Sequence, residues 1–148
     1  MEAELPGLKA VGVMGLRKDA WCHYFFRLVL KAESGDWDVV LRGRAIETLI
    51  AAGALDGSIC SFDGREMPIS FRPNAPFEVG GLVSAGRTVT IEVIMPPLKP
   101  LFEYGDSADK RILAWRPSGF EAKPRGGGQG IALSGAAFAD WARAEAGA

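Results

Sequence analysis

The sequence predicts an α+β fold, mostly β: a bent antiparallel sheet or open barrel with two packed helices. Three observations predict it. Apolar residues alternate with period two over several separate runs. Turn-forming Gly, Asp, Asn and Pro separate those runs. The period changes to 3.6 in only two places. A pure β-sandwich with peripheral helices is the alternative arrangement.

Residues 8–16 are apolar but hold Gly12 and Gly15, and read as a short strand or an irregular lead-in. Residues 21–32 form the best strand. Tyr24, Phe26, Leu28 and Leu30 alternate on one side; His23, Phe25, Arg27, Val29 and Lys31 alternate on the other. Glu33-Ser34-Gly35-Asp36 is turn chemistry, and residues 37–42 form a second strand. The spacing predicts that these two strands pair as a hairpin. After Gly43 the apolar residues Ala45, Ile46, Leu49 and Ile50 share one helical stripe, which Gly53 ends.

Residues 58–62 and 66–71 flank Asp63-Gly64, a favoured hairpin pair. Residues 77–83 give a weak strand signal. Residues 88–95 are rich in β-branched side chains and stop at Pro96-Pro97, which cannot donate to a ladder. A proline-containing connection follows over 98–110. Strand candidates come at 111–116, 119–123 and 131–133. Ser134 is placed to cap a terminal helix whose stripe is Phe138, Trp141 and Ala142. Trp37, Trp115, Trp141, Phe26 and Leu28 are the expected core.

A shift of 92 residues lays Val39, Leu41, Gly43, Ala45, Ile46 and Leu49 on Ile131, Leu133, Gly135, Ala137, Phe138 and Trp141. One reading is a duplicated strand–strand–helix unit. The other is that any β-to-helix junction has this spacing. The strand order in the two blocks decides between them.

The 148 residues suit one domain spanning 1–148, and 48% apolar content marks a chain that folds around a core. Seventeen Lys and Arg balance eighteen Asp and Glu, which argues against a nucleic-acid partner bound over the whole surface. The start Met1-Glu2-Ala3-Glu4 is acidic where a secretory signal is cationic, and no apolar run reaches membrane-spanning length. Cys22 and Cys60 then read as free thiols, and the expected location is the cytoplasm, with no membrane partner.

His23 is the sole histidine. On a strand, Cys22 and His23 point to opposite faces, so they cannot hold one metal or form a nucleophile pair together. Neither a metal nor another cofactor is expected. The Gly-rich run at 126–130 lacks the Lys-Ser/Thr ending of a phosphate loop. Its Gly127-Gly128-Gln129 resembles the tripeptide of peptide-release factors over three residues only, without their surrounding sequence. No motif identifies a catalytic site. Candidate binding residues are His23 and Arg27 on the first strong strand, Arg42 on the next, and Arg125 beside the glycine loop. Guanidinium groups at these positions suit an anion or an acidic surface.

The function expected is a non-enzymatic protein-binding module: an adaptor or inhibitor type such as an immunity protein, a phage-encoded inhibitor or an assembly subunit. Its partner would be another protein or a second copy of the chain. The alternative is a ligand-binding or enzymatic α+β barrel holding a small molecule in a pocket near His23, Arg27 and Arg42.

Overall fold

A computed structural model describes residues 7–105 and 108–146; the acidic Met1-Glu2-Ala3-Glu4 start and the Gly147-Ala148 end lie outside them. Strand β1 (Leu8–Leu16) runs antiparallel to β2 (Cys22–Ala32). The register slips between Ala10 and Gly12 and again between Met14 and Leu16, so the glycine-bearing segment is both a strand and irregular. The other edge of β2 pairs with β7 (Thr88–Ile94), from Phe25 opposite Ile94 to Lys31 opposite Thr88. Beyond β7 lie β4 (Ile59–Phe62) and β5 (Arg65–Met67). Asp63 and Gly64 join these two with φ of 52° and 82°, as a tight hairpin turn requires. The expected hairpin is therefore present, but its second arm ends at Met67. Pro68 follows and brings no amide donor to the ladder.

The rest of the sheet centres on β3 (Trp37–Ala45), which lies between β6 (Phe77–Val83) and β8 (Trp115–Pro124). Strand β9 (Ile131–Ser134) pairs with the far edge of β8. Cys22 opposite Trp115 joins the two parts, and the sheet curls into a nearly closed antiparallel barrel. The α+β expectation holds, with the open-barrel version realised rather than the sandwich.

The predicted pairing of β2 with β3 is corrected. Both edges of β2 are taken, by β1 and β7, and both edges of β3 by β6 and β8. The turn at 33–36 is a corner that carries the chain from one part of the sheet to the other. The Trp37 indole N–H donates to Ser34 O at 3.0 Å and fixes that corner. Turn residues reverse the chain, but they do not choose its neighbours.

Helix α1 (Glu47–Ala51) is shorter than its apolar stripe, because Ala45 still belongs to the β3 ladder opposite Trp115. Helix α2 (Gly135–Ala146) begins as expected, with the Ser134 hydroxyl accepting from the Ala137 amide at 3.2 Å. It packs across β1, β8 and β9. Phe138 and Trp141 meet Phe120 at 5.1 and 5.4 Å between ring centres. The duplication reading is lost on strand order. β8 and β9 pair directly before α2, whereas β2 and β3 do not pair before α1.

Trp37, Trp115, Trp141, Phe26 and Leu28 are all buried, as expected. Trp115 contacts Phe26 and Phe77 edge-on, at 5.0 and 5.1 Å. Such pairs add about 1 kcal/mol each beyond area burial. This aromatic stack joins β2, β8 and β6, and so fixes the end of the barrel where β3 stops and β8 starts.

Candidate functional site

The strand register lays a row of outward side chains across that end. Alternation along β3 buries Gly43 and turns Arg44 outward. On β8 it buries Trp115 and turns Arg116 outward. Arg44 and Arg116 are direct cross-strand partners. Cys22 pairs with Trp115, so antiparallel continuation places Trp21 beside Arg116 on the other edge of β8. The Arg116 guanidinium lies 5.5 Å from the Trp21 ring centre, within cation–π range. On the far side of Arg44, the loop before β6 supplies Arg72 and Asn74. Asn74 adopts a left-handed backbone with φ of 62°, and Arg72 bridges to Ala75.

These residues line a half-open cleft of about 350 Å³, with Trp21, Ala45 and Ile46 as its apolar part and Glu47 as its acidic one. No carboxylate among the described residues lies within 4.0 Å of Arg44, Arg72 or Arg116 as a salt-bridge partner. Two like charges directly opposite one another on paired strands repel. The cleft therefore concentrates positive charge beside an apolar wall.

The four residues singled out from sequence sit elsewhere. His23 is half-buried on β2 and does not line the cleft. Arg27 lies over Phe25 at 5.4 Å and donates through Nε and Nη2 to Glu92 at 3.0 and 2.9 Å. Arg42 bonds Glu121 at 2.8 Å and also Glu78, and these hydrogen bonds raise its pKa further. Arg125 bonds Asp38 at 2.9 Å, which raises its pKa as well. The structure does not bring these four together. Arg27 and Arg42 do not lie on facing strands of one hairpin, as the sequence suggests; they lie on strands separated by β8. Each of the three arginines is already held by a carboxylate, which leaves it less available to an incoming anion.

Sequence reasoning missed Arg44, Arg72 and Arg116. Arg44 had a readable signal, since it lies two residues from Arg42 and thus on the same face of β3. The convergence of Arg72 and Arg116 depends on long-range pairing.

Two neighbouring clefts among the described residues mix charges instead. One near β5 and β6 is lined by Arg65 together with Asp63. Another, beside the start of β6, shares Arg72 but adds Glu78. Both cysteines are free and buried. Among the described residues, no three His, Cys, Asp or Glu side chains converge as metal ligands, and no helix is long and apolar enough to cross a membrane.

No protein-family model matches the chain, and neither curated proteins nor solved structures provide a match.

Proposed function

We propose that this protein is a non-enzymatic binding module that holds an anionic group of its partner in the cleft of Arg44, Arg72 and Arg116. The observation that carries this reading is the cross-strand pair Arg44 and Arg116, two cations in direct register with no salt-bridge partner among the described residues. An anion bound by both would make two charge-assisted hydrogen bonds. Guanidinium groups stay protonated at working pH, so this set suits holding and orienting an anion better than moving protons. The reading keeps surface recognition as the function and places it at a different site from His23, Arg27, Arg42 and Arg125.

The test is thermal unfolding in sodium sulfate against sodium chloride at equal ionic strength. Sulfate should raise the melting temperature of the wild type, because a ligand at a hundred times its dissociation constant stabilises by about 2.7 kcal/mol. The Arg44→Gln/Arg116→Gln double variant should keep only the general stabilisation that sulfate gives any fold, and Arg42→Gln should respond as the wild type does. Equal responses from all three proteins, or no response from any, would sink the reading.

A further inference from the structure

We infer that the anion taken by this cleft is a phosphate monoester in its dianionic form; this rests on the reading of the cleft as an anion site. Charge favours the dianion. Arg44, Arg72 and Arg116 bring three positive charges and Glu47 one negative charge, a local sum of plus two. A phosphate monoester carries about −1.5 to −2 at neutral pH, whereas a single carboxylate or a sulfate ester carries one charge.

The number of donors favours it too. One guanidinium fork can satisfy both oxygens of a carboxylate, which would leave two arginines in the cleft unanswered. A phosphoryl group offers three terminal oxygens and can accept from several forks at once. The rest of the lining favours an ester. Trp21, Ala45 and Ile46 give the 350 Å³ cleft an apolar wall that inorganic phosphate would leave empty. An organic group esterified to the phosphate would cover it.

The phosphoryl group could be presented by a phosphorylated side chain or by a phosphorylated small molecule. The chemistry recognised is the same, and the experiment separates the two. Trp21 is the reporter, because Trp37, Trp115 and Trp141 are buried and Trp21 is not. Its fluorescence is followed while wild-type protein is titrated with phenyl phosphate, phenyl sulfate, benzoate and a neutral phosphoseryl pentapeptide.

At pH 7.5 phenyl phosphate should bind at least about tenfold more tightly than phenyl sulfate or benzoate, as an extra ionic contact predicts. Its advantage should shrink towards that of phenyl sulfate by pH 5, since the second phosphate proton has a pKa of about 6. Phenyl sulfate does not titrate there, so it reports any change in the protein's own groups, which in this cleft are the three arginines and Glu47. Arg44→Gln should weaken phenyl phosphate by about tenfold, and Arg42→Gln should not. A pentapeptide that binds more tightly than phenyl phosphate assigns the source to a phosphorylated protein; the reverse order assigns it to a small molecule. Benzoate or phenyl sulfate binding as tightly as phenyl phosphate, or a phosphate affinity flat from pH 5 to 7.5, would overturn the monoester while leaving an anion cleft standing. Binding of none of the probes would remove the cleft reading as well.

Discussion

Arg44 of β3 and Arg116 of β8 face each other directly in antiparallel register, and both are exposed. Like charges at opposed positions on paired strands disfavour the empty protein, whereas an anion complex uses both, so stability and binding should move in opposite directions. Arg44→Glu replaces repulsion with an ion pair to Arg116. In the absence of anions it should raise unfolding free energy by about 0.5 kcal/mol, measured by urea denaturation at low ionic strength. The gain should fade at high salt, which screens exposed charges. The same variant should lose the part of the sulfate stabilisation that exceeds the salt's general effect. A variant less stable than the wild type at low salt would show that the two guanidiniums are not in electrostatic conflict.

Gly43 sets how closely β3 approaches the aromatic stack beneath that pair. A Cβ added there would lie 2.5 Å from Trp115 Cε3 and 2.8 Å from Phe77 Cζ. Neither ring can retreat freely, because Trp115 is fully buried between Phe26 and Phe77. Gly43→Ala should therefore cost about 1–3 kcal/mol as an overpacked core does. Gly126→Ala is the control, since nothing lies within 4 Å of its added Cβ. Chemical denaturation of the two variants checks this, and equal stabilities would mean that β3 shifts to make room.

What the sequence shows and hides here follows from the range of the interactions. The Asp63-Gly64 hairpin, the Ser134 cap and the buried stripe of Phe138, Trp141 and Ala142 are local, and all three were readable. Whether β2 pairs with β3 is not a local matter. It depends on β7 and β1 occupying the edges of β2, from segments many residues away. The candidate site lies almost wholly on that long-range level. Trp21, Arg44, Arg72 and Arg116 come from four separated segments, and only the Cys22–Trp115 and Arg44–Arg116 registers align them. Arg27, Arg42 and Arg125 looked available because their carboxylate partners, Glu92, Glu121 and Asp38, also arrive from distant or unpaired-looking segments.

Cys22 and Cys60 should be inert in the native protein. Both are fully buried. Burial raises the Cys22 thiol well above its ordinary range and pushes Cys60 up to about 12. The thiolate is the reactive form, so neither should react with iodoacetamide at pH 8 while the fold is intact. Both should react once urea opens the core, and mass spectrometry should show two additions appearing with unfolding. Prompt alkylation of either thiol in native buffer would contradict the packing of β2 and β4 described here.

Acid should act through the loops that hold Trp21. Arg111 bonds Asp109 at 2.7 Å and reaches Asp19 at 2.7 Å, tying the connection before β8 to the turn between β1 and β2. The Arg111 hydrogen bonds hold Asp109 down to about 2, against an ordinary value of 3.8. Desolvation pushes Asp19 up, but the Trp21 amide and the charges of Arg17 and Arg111 together outweigh it, and its pKa is lowered. A carboxylate whose folded pKa is depressed stabilises the fold above its unfolded pKa, and that contribution is lost as pH falls through the folded one. The window for Asp109 therefore runs from about pH 4 down to about pH 2. Wild-type stability should decline across this interval. Asp109→Asn should be less stable than the wild type at pH 7, and the two proteins should converge by about pH 2. Because Asp19 also accepts from the Trp21 amide at 3.3 Å, Trp21 fluorescence should change as acid protonates Asp19, below its ordinary carboxylate range, and Asp19→Asn should lose that change. Parallel stability curves for wild type and Asp109→Asn from pH 7 to pH 2 would show that the Arg111 pairs do not act on the fold.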